Sequence, residues 1–447
     1  MRRVFIPNRG EIAVRIVNAC HRLGLECVVG ASEPDMNGMA AHLADRRVCL
    51  GPGPASQSYL RDDLVVHAAL STRCDAIHPG YGFLSESPAL ADRAREHGLT
   101  FVGPPTSAMR LAGDKLAARA EAARAGAPVL PGGQVANPVQ ARTLASEIGY
   151  PLLIKAAGGG GGRGIKCVHD EDELDGLLSL TRSEAGAAFG DDRVYLEKLI
   201  ESARHVEVQV AADEHGTVLH FGDRDCSVQR RFQKVVEEAP APDLAPSTRA
   251  RLREAAVAFA QRIGYRNLGT AEFVVDAESG EAYFLEVNCR IQVEHPVTEA
   301  ITYLDLVAMQ LQIASGHPME IGQDDVAYHG HAVECRLNAE DPAQGYRPSP
   351  GTLSLFAVPE RHGLRVDTHC QAGSAVPPYY DSLLAKLIGH GSDREHAIDI
   401  LLEALEDLDV DGVETNRTLL IGIMGHPDFR AGRAGAVTTD WLERALR

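Results

Sequence analysis

The feature that most constrains this chain is the alternation of strand and helix signals through its first hundred residues. Val4-Phe5-Ile6 is a short apolar run, Glu11 to Leu23 carries helical periodicity and stops at Gly24, and Glu26 to Val29 is apolar again. A short apolar run, an amphipathic stretch and a second apolar run form a βαβ pattern, the building block of a parallel sheet. Cys74-Asp75-Ala76-Ile77 precedes a turn-rich stretch from His78 to Leu84, and the alternation continues to Phe101-Val102-Gly103-Pro104-Pro105, a plausible boundary. A helix is expected from about Asp114 to Ala125, ending at Gly126-Ala127-Pro128. Strand signals are dense from Val206 to Val293, with one helix around Ser247 to Ile263; after Gly330 come mixed strands and a late helix, Asp393 to Asp407. With 447 residues the chain has room for about three domains, read here as α/β or α+β units.

Composition removes several function classes. The formal charge of −18, from 44 basic and 62 acidic residues, argues against nucleic acid or an anionic membrane as the main partner, though a local basic cluster can still hold an anionic substrate. No window offers ~20 consecutive apolar residues, and Asn8, Arg9 and Glu11 interrupt the first apolar run too early for a signal peptide, so a cytoplasmic protein is expected. The nine cysteines form no Cys-x-x-Cys pair and read as reduced thiols. The eighteen histidines show no zinc-type spacing; His329-Gly330-His331 comes nearest and reads as surface or strand histidines, so no zinc is expected.

Three segments carry chemistry. Gly158 to Gly162 are five consecutive glycines between two strand-like stretches, Pro151 to Lys155 and Ile165 to Val168. A linker is the plain alternative, but a hairpin tip whose bare amides approach phosphate oxygens, with Lys155 beside it, suits the flanking strands better. No helix follows, and no Lys-Ser/Thr, so neither the dinucleotide fingerprint nor a Walker A loop is present. The second segment runs from Phe284 to Glu294. Read as extended chain, it puts Glu286, Asn288, Arg290, Gln292 and Glu294 on one side and Leu285, Val287, Cys289, Ile291 and Val293 on the other. A half-solvated strand would look similar; an arginine between two carboxylates favours a metal-nucleotide site followed by an anion site. Glu272, on a preceding strand joined through Ala277-Glu278-Ser279-Gly280, should approach Glu286 across a hairpin and offer magnesium a second carboxylate. The third segment holds Arg230, Arg231 and Lys234, which in isolation read as a solvated charge run.

Taken in order, Asn8 to Ala13, His78 to Glu86, Gly113-Asp114-Lys115, the glycine run, Arg224 to Pro240, Glu286 to Thr298 and Gly330 to Pro350 resemble the signatures of biotin carboxylases, over nearly the whole chain. The resemblance implies an α/β and α+β fold: a doubly wound pre-ATP-grasp unit (1–110), an ATP-grasp core (111–330) with a mobile glycine-rich lid at about 130–203, and a mixed C-terminal unit (331–447). It implies ATP bound by Lys115, Lys155, the Gly161 and Gly162 amides, Glu197, Lys198, Leu199, Ile200, His205, Gln229, Glu272 and Glu286. Magnesium or manganese would sit on Glu272, Glu286 and Asn288. Bicarbonate would lie among Lys234, Arg290, Gln292, the Val293 backbone and Glu294, with Glu294 as base, and Arg336 would face the biotin ureido oxygen. Phe232 stands where the family commonly has a ribose-reaching histidine.

The implied reaction is ATP- and bicarbonate-dependent carboxylation of biotin through carboxyphosphate, the first half-reaction of an acyl-CoA carboxylase, acetyl-CoA foremost, with propionyl-CoA, methylcrotonyl-CoA, pyruvate and urea left open as final acceptors. None of the seven methionines is followed by lysine, so the Met-Lys-Met biotin attachment sequence is missing and biotin is expected on a separate carrier protein. Carboxyltransferase subunits and a second copy of the chain complete the implied partners. Two other readings remain open: another ATP-grasp ligase that delivers an acyl-phosphate to an amine, and a non-catalytic nucleotide-binding regulator.

Overall fold

A computed structural model describes residues 1–158, 164–433 and 435–445. Strands β1 (Arg3–Ile6), β2 (Glu26–Ser32), β3 (Arg46–Gly51), β4 (Ala76–Ile77) and β5 (Thr100–Phe101) form a parallel sheet in the order β3-β2-β1-β4-β5. The first helix, α1 (Gly10–Arg22), buries Ile12, Ala13, Ile16, Val17 and Ala19. Strand order reverses between β1 and β4, the place where open α/β sheets bind ligands beyond their strand ends. Here the loops after those two strands are tied together, because Asn8 Nδ2 donates to the carbonyls of Pro79 (2.6 Å) and Tyr81 (2.8 Å). The unit is doubly wound, as the family resemblance implied.

A small antiparallel sheet follows: β6 (Gly132–Val135), β7 (Leu152–Ala156), β8 (Ile165–Val168) and β9 (Val194–Lys198), in the order β6-β9-β7-β8. Ile154, Val168 and Leu196 pack with Ala141, Ala145 and Leu174 of the helices Pro138–Ile148 and Glu171–Phe189. The glycine run lies in the β7–β8 connection, and the expected phosphate-binding Gly161 and Gly162 are outside the described residues.

The largest element is an eight-stranded antiparallel sheet. It contains β10 (Ala203–Ala212), β11 (Val218–Arg230), β12 (Gln233–Ala239), β13 (Asn267–Asp276), β14 (Ala282–Asn288), β15 (His331–Asn338) and two later strands, Leu364–Thr368 and Leu383–Gly391. Their order is β14-β13-β10-β11-β12-β15, then 383–391, then 364–368, so one hydrogen-bonded sheet runs from the central region into the C-terminal one. Alternation gives it two unlike faces. Val206, Val208, Phe273 and Val275 pack with Leu252, Ala256 and Phe259 of the helix Pro246–Arg262. Glu207, Gln209, Thr270 and Glu272 alternate with those apolar residues, and Arg224 joins Gln209 and Thr270 to Thr298 of the helix His295–Thr302.

One expectation is corrected here. The segment from Phe284 to Glu294 is not extended throughout: β14 ends at Asn288, the chain bends, and a helix starts at His295. Pro296 sits in the first helical turn, where its missing N–H costs nothing. Beyond Asn288 the backbone N–H of Cys289 bonds Glu86 Oε1 of the N-terminal unit (2.8 Å). A partner about two hundred residues upstream therefore replaces the ladder.

Candidate active site

The site grows from one row of the large sheet. Glu286 on β14 lies opposite Glu272 on β13, Glu272 opposite Glu207 on β10, and Glu207 opposite Arg224 on β11. Like charges side by side on a sheet face are destabilising unless cations intervene. They do. Lys115 pairs with Glu286 (3.0 Å), His205 with Glu272 (3.0 Å), and Arg224 Nε donates to Glu207 (2.5 Å). Lys234 reaches three carboxylates at once, Glu207 (2.7 Å), Glu272 (3.1 Å) and Glu294 (2.6 Å). Far from being part of a solvated run, Lys234 is largely buried. Burial alone would lower its ammonium pKa, but Glu207, Glu272 and Glu294 outweigh it and hold the proton on.

Glu294 is 0% exposed and stands at the turn into the helix His295–Thr302. Its Oε1 accepts from Lys234 and its Oε2 from Arg336 (2.9 Å). Burial pushes this carboxyl up, but Lys234, Arg336 and Arg224 together hold it well below the usual carboxylate range. Arg336, on β15, also pairs with Glu237 of β12. Burial lifts Glu237 to about 7, against the opposing pull of Arg336. Glu294 therefore links two cations, one on each side.

Arg290 lies in the bend after β14. It donates from Nη1 to Gln292 Oε1 (2.8 Å), from Nη2 to Asn288 Oδ1 (3.2 Å) and from Nε to Glu86 Oε2 (3.0 Å). The Val293 carbonyl accepts from Lys386 Nζ (2.8 Å), which also pairs with Glu11 (3.0 Å). Asn288 Nδ2 donates to Glu272 Oε1 (2.7 Å), and Gln292 Nε2 reaches the same oxygen at 3.4 Å.

At the other end, Lys155 on β7 pairs with Glu197 on β9, and Arg119 holds the second oxygen of Glu197 at 2.7 Å. Lys198 donates to the carbonyls of Gly149 (3.4 Å) and Tyr150 (3.3 Å), and Leu199 and Ile200 follow half-buried. Gln229 lies 2.9 Å from His205 Nδ1 and donates to the Cys226 carbonyl. Phe232 is apart, at the tip of the β11–β12 hairpin and 67% exposed.

Family models agree with this arrangement along the chain: "Biotin carboxylase, N-terminal domain" matches residues 1–109, "Carbamoyl-phosphate synthase L chain, ATP binding domain" 114–321, and "Biotin carboxylase C-terminal domain" 334–444. The biotin carboxylase of Pseudomonas aeruginosa is 48% identical, over 100% of this chain and 99% of that protein. The chain belongs to the biotin carboxylase family. Biotin carboxylase 1 of Bacillus subtilis is 44% identical, over 97% of this chain and 96% of its own length. Among solved structures, the biotin carboxylase domain dimer of Hydrogenobacter thermophilus 2-oxoglutarate carboxylase, in complex with MgADP, ADP and bicarbonate, superposes with a TM-score of 0.95 at 43% identity, covering 100% of this chain and 98% of that one. The Campylobacter jejuni biotin carboxylase–βγ-ATP complex gives 0.96 at 40% identity, covering 99% and 98%.

In this biotin carboxylase fold, Lys234, Glu272, Asn288, Arg290, Gln292, Glu294 and Arg336 form one connected network, joined to His205 and Gln229. Sequence reasoning missed the groups that hold it. Glu207 and Lys386 were not singled out, and Glu237 lay inside the family-like segment Arg224 to Pro240 without a role. Glu11 and Glu86 lay inside segments that resembled the family but were given no role. The signal for Glu207 was its place in Val206-Glu207-Val208-Gln209-Val210, a strand whose second face is polar but not lysine-rich. No helix among the described residues is long and apolar enough to cross a membrane.

Proposed function

We propose that this chain uses ATP and bicarbonate to carboxylate biotin brought by a carrier protein, with Glu294 as the base between the two substrates. One observation carries the reading: a buried, ionised carboxylate is gripped from one side by Lys234 and from the other by Arg336. Bicarbonate is a poor electrophile, so its oxygen must first attack the γ-phosphorus of ATP, forming carboxyphosphate and releasing ADP. Arg290 and Lys234 bind the anion, and Gln292 and the Val293 backbone orient it. As Lys234 turns from Glu294 to the anion, the carboxylate loses its strongest counter-charge and its basicity rises, so it can take the bicarbonate proton. Lys115, Lys155, Glu197 to Ile200, His205 and Gln229 bind the nucleotide. Carboxyphosphate breaks down to carbon dioxide and phosphate, the phosphate takes the biotin N1 proton, Arg336 stabilises the ureido oxygen as it becomes anionic, and N1 attacks the carbon dioxide to form the N–C bond of carboxybiotin.

Glu272, Glu286 and Asn288 fit magnesium, because hard oxygen donors stand on adjacent strands where only protein cations now balance them. The Asn288 amide would turn its oxygen toward Glu272 to serve. When bound, the metal offsets charge on the transferring phosphoryl group. The units are drawn at 1–110, 111–330 and 331–447, with the four-stranded sheet closing over the nucleotide as a lid. A cytoplasmic homodimer working with a carboxyltransferase, on acetyl-CoA first among acyl-CoA acceptors, completes the proposal; the H. thermophilus domain dimer supports the pairing. The test is ADP release from ATP and magnesium. It should require bicarbonate and rise when biotin or a biotinylated carrier is added. Release that ignores bicarbonate but responds to amines would favour an amide-forming ligase.

A further inference from the structure

A second cluster lies at the far end of α1. That 13-residue helix starts at Gly10 beside the active site and ends at Arg22, roughly 18 Å away at 1.5 Å per residue. His21 is in its last turn, Cys27 is the second residue of β2, and Asp45 directly precedes β3. Since Val28 pairs with Arg46, the parallel β2–β3 ladder sets Cys27 beside Asp45, and the turn after α1 returns His21 over both.

The three donor atoms converge. Cys27 Sγ lies 3.6 Å from His21 Nε2, the same Nε2 lies 3.4 Å from Asp45 Oδ2, and all three atoms fall within 4.8 Å of one another. Hydrogen bonds account for these contacts pair by pair, since an Nε2–H can donate to the carboxylate and, bifurcated, to the sulfur. A shared cation accounts for the convergence of all three atoms at once. With Zn–S ~2.3 Å and Zn–N or Zn–O ~2.0–2.1 Å, a tetrahedral angle separates sulfur from nitrogen by about 3.6 Å and nitrogen from oxygen by about 3.4 Å. The carboxylate is already oriented, because the Cys27 backbone N–H donates to Asp45 Oδ2 (2.8 Å), leaving that oxygen a second lone pair. His21 and Asp45 side chains are 42% and 44% exposed, which gives an ion a path from solvent and room for water as a fourth ligand.

We propose that His21, Cys27 and Asp45 form a binding site for one zinc(II) ion, separate from the nucleotide-metal site and tying α1 to β2 and β3. The thiolate and imidazole select a borderline-soft metal, whereas Glu272, Glu286 and Asn288 offer only hard oxygen. No sequence motif announces the site, because its ligands stand on three elements at irregular spacing.

Cobalt(II) is the probe. Added to metal-free whole protein, one equivalent should give a thiolate-to-cobalt charge-transfer band in the near ultraviolet and the visible bands of a four-coordinate ion, and zinc(II) should displace it. Cys226 is the thiol to control for, because it lies beside Glu207 and Glu294 in the active site. The bands should survive Cys226→Ala and vanish in Cys27→Ala. His21→Ala, at an exposed position that leaves the core intact, should weaken cobalt binding at least about tenfold, since even outer-shell partners of a metal are worth that much. The proposal is overturned if wild-type protein gives no charge-transfer band, if the bands persist in Cys27→Ala, or if His21→Ala binds cobalt as tightly as wild type.

Discussion

Glu294 shows how far one side chain's role depends on its neighbours. Lys234 and Arg336 hold its carboxyl well below the usual carboxylate range, so the proposed base role requires substrates to draw those cations away. Glu294→Gln should lower bicarbonate-dependent ATP cleavage by ~10²- to 10⁴-fold while nucleotide affinity stays near wild type. Near-normal turnover in that variant would remove Glu294 from the base position. Arg336→Ala should separate the half-reactions: slow bicarbonate-dependent ADP formation without biotin persists, while biotin carboxylation falls by a larger factor. Equal losses in the two assays would contradict its place on the ureido oxygen. Glu334 makes a different point. It faces Glu237 across the β12–β15 pair, and neither of its oxygens has a hydrogen-bond partner among the described residues. Burial, opposed by Lys386, raises its pKa well above the usual range, so the folded chain keeps a proton there that the unfolded chain releases. The contribution to stability is complete below the unfolded pKa of ~4.3 and declines as pH rises toward the folded value. Glu334→Gln has no proton to lose. Its stability relative to wild type should therefore improve by up to about 1.4 kcal/mol per pH unit above pH ~4.5, measured by urea unfolding at pH 5, 6 and 7. A difference independent of pH would show that Glu334 is ionised in the fold.

At the scale of elements, the β11–β12 hairpin decides where Lys234 and Phe232 go. Its two-residue loop, Arg231 (φ +51°) and Phe232 (φ +64°), has positive φ at both positions, as the tightest hairpin turns require. A phenylalanine is a poor occupant of that conformation, whereas histidine is several-fold enriched there. Phe232→His should therefore be tolerated by the turn and should tighten nucleotide binding by ~0.5–1.5 kcal/mol if the tip faces the ribose, read by titration calorimetry with ADP. Unchanged affinity would mean that the tip does not reach the nucleotide. Elements like this separate what was legible in the sequence from what was not. The helix Lys115–Arg124 was legible because its cap is local: Asp114 accepts from the N–H groups of Leu116 and Ala117. So were the strands around the glycine run and the Glu272–Glu286 hairpin, whose turn lies between them. The end of β14 was not, because Glu86 ends the ladder from another unit while the apolar alternation runs on past Asn288. Nor was the burial of Glu207 and Arg224, which follows from a helix that begins at His295 and closes over their face.

Across the whole molecule the site is a joint between units. Lys386 sits where they meet, 0% exposed, on the strand Leu383–Gly391. It donates to the Val293 carbonyl of the central region and pairs with Glu11 of the N-terminal one at 3.0 Å. Asp367, on the neighbouring C-terminal strand, is 3.8 Å away. Burial works against its charge, but Glu11 and Asp367 keep the proton on. Tyr81 donates to Glu11 as well, so α1 and the loop after β4 both bear on this one ammonium group. Removing one partner of a buried ion pair leaves the other uncompensated, at a cost of about 3–5 kcal/mol. Lys386→Met should therefore destabilise the whole chain by roughly that amount, and because the Val293 carbonyl loses its donor, bicarbonate should bind more weakly too. The second substitution is informative. Glu11→Gln in the Lys386→Met background removes the stranded carboxylate, so the double variant should recover a substantial part of the lost stability although it has one ionic group fewer. It should not recover bicarbonate affinity, since Val293 still lacks its donor. Additive losses in urea unfolding would show that Lys386 and Glu11 act independently, and the N-terminal unit would then be docked by something other than this pair.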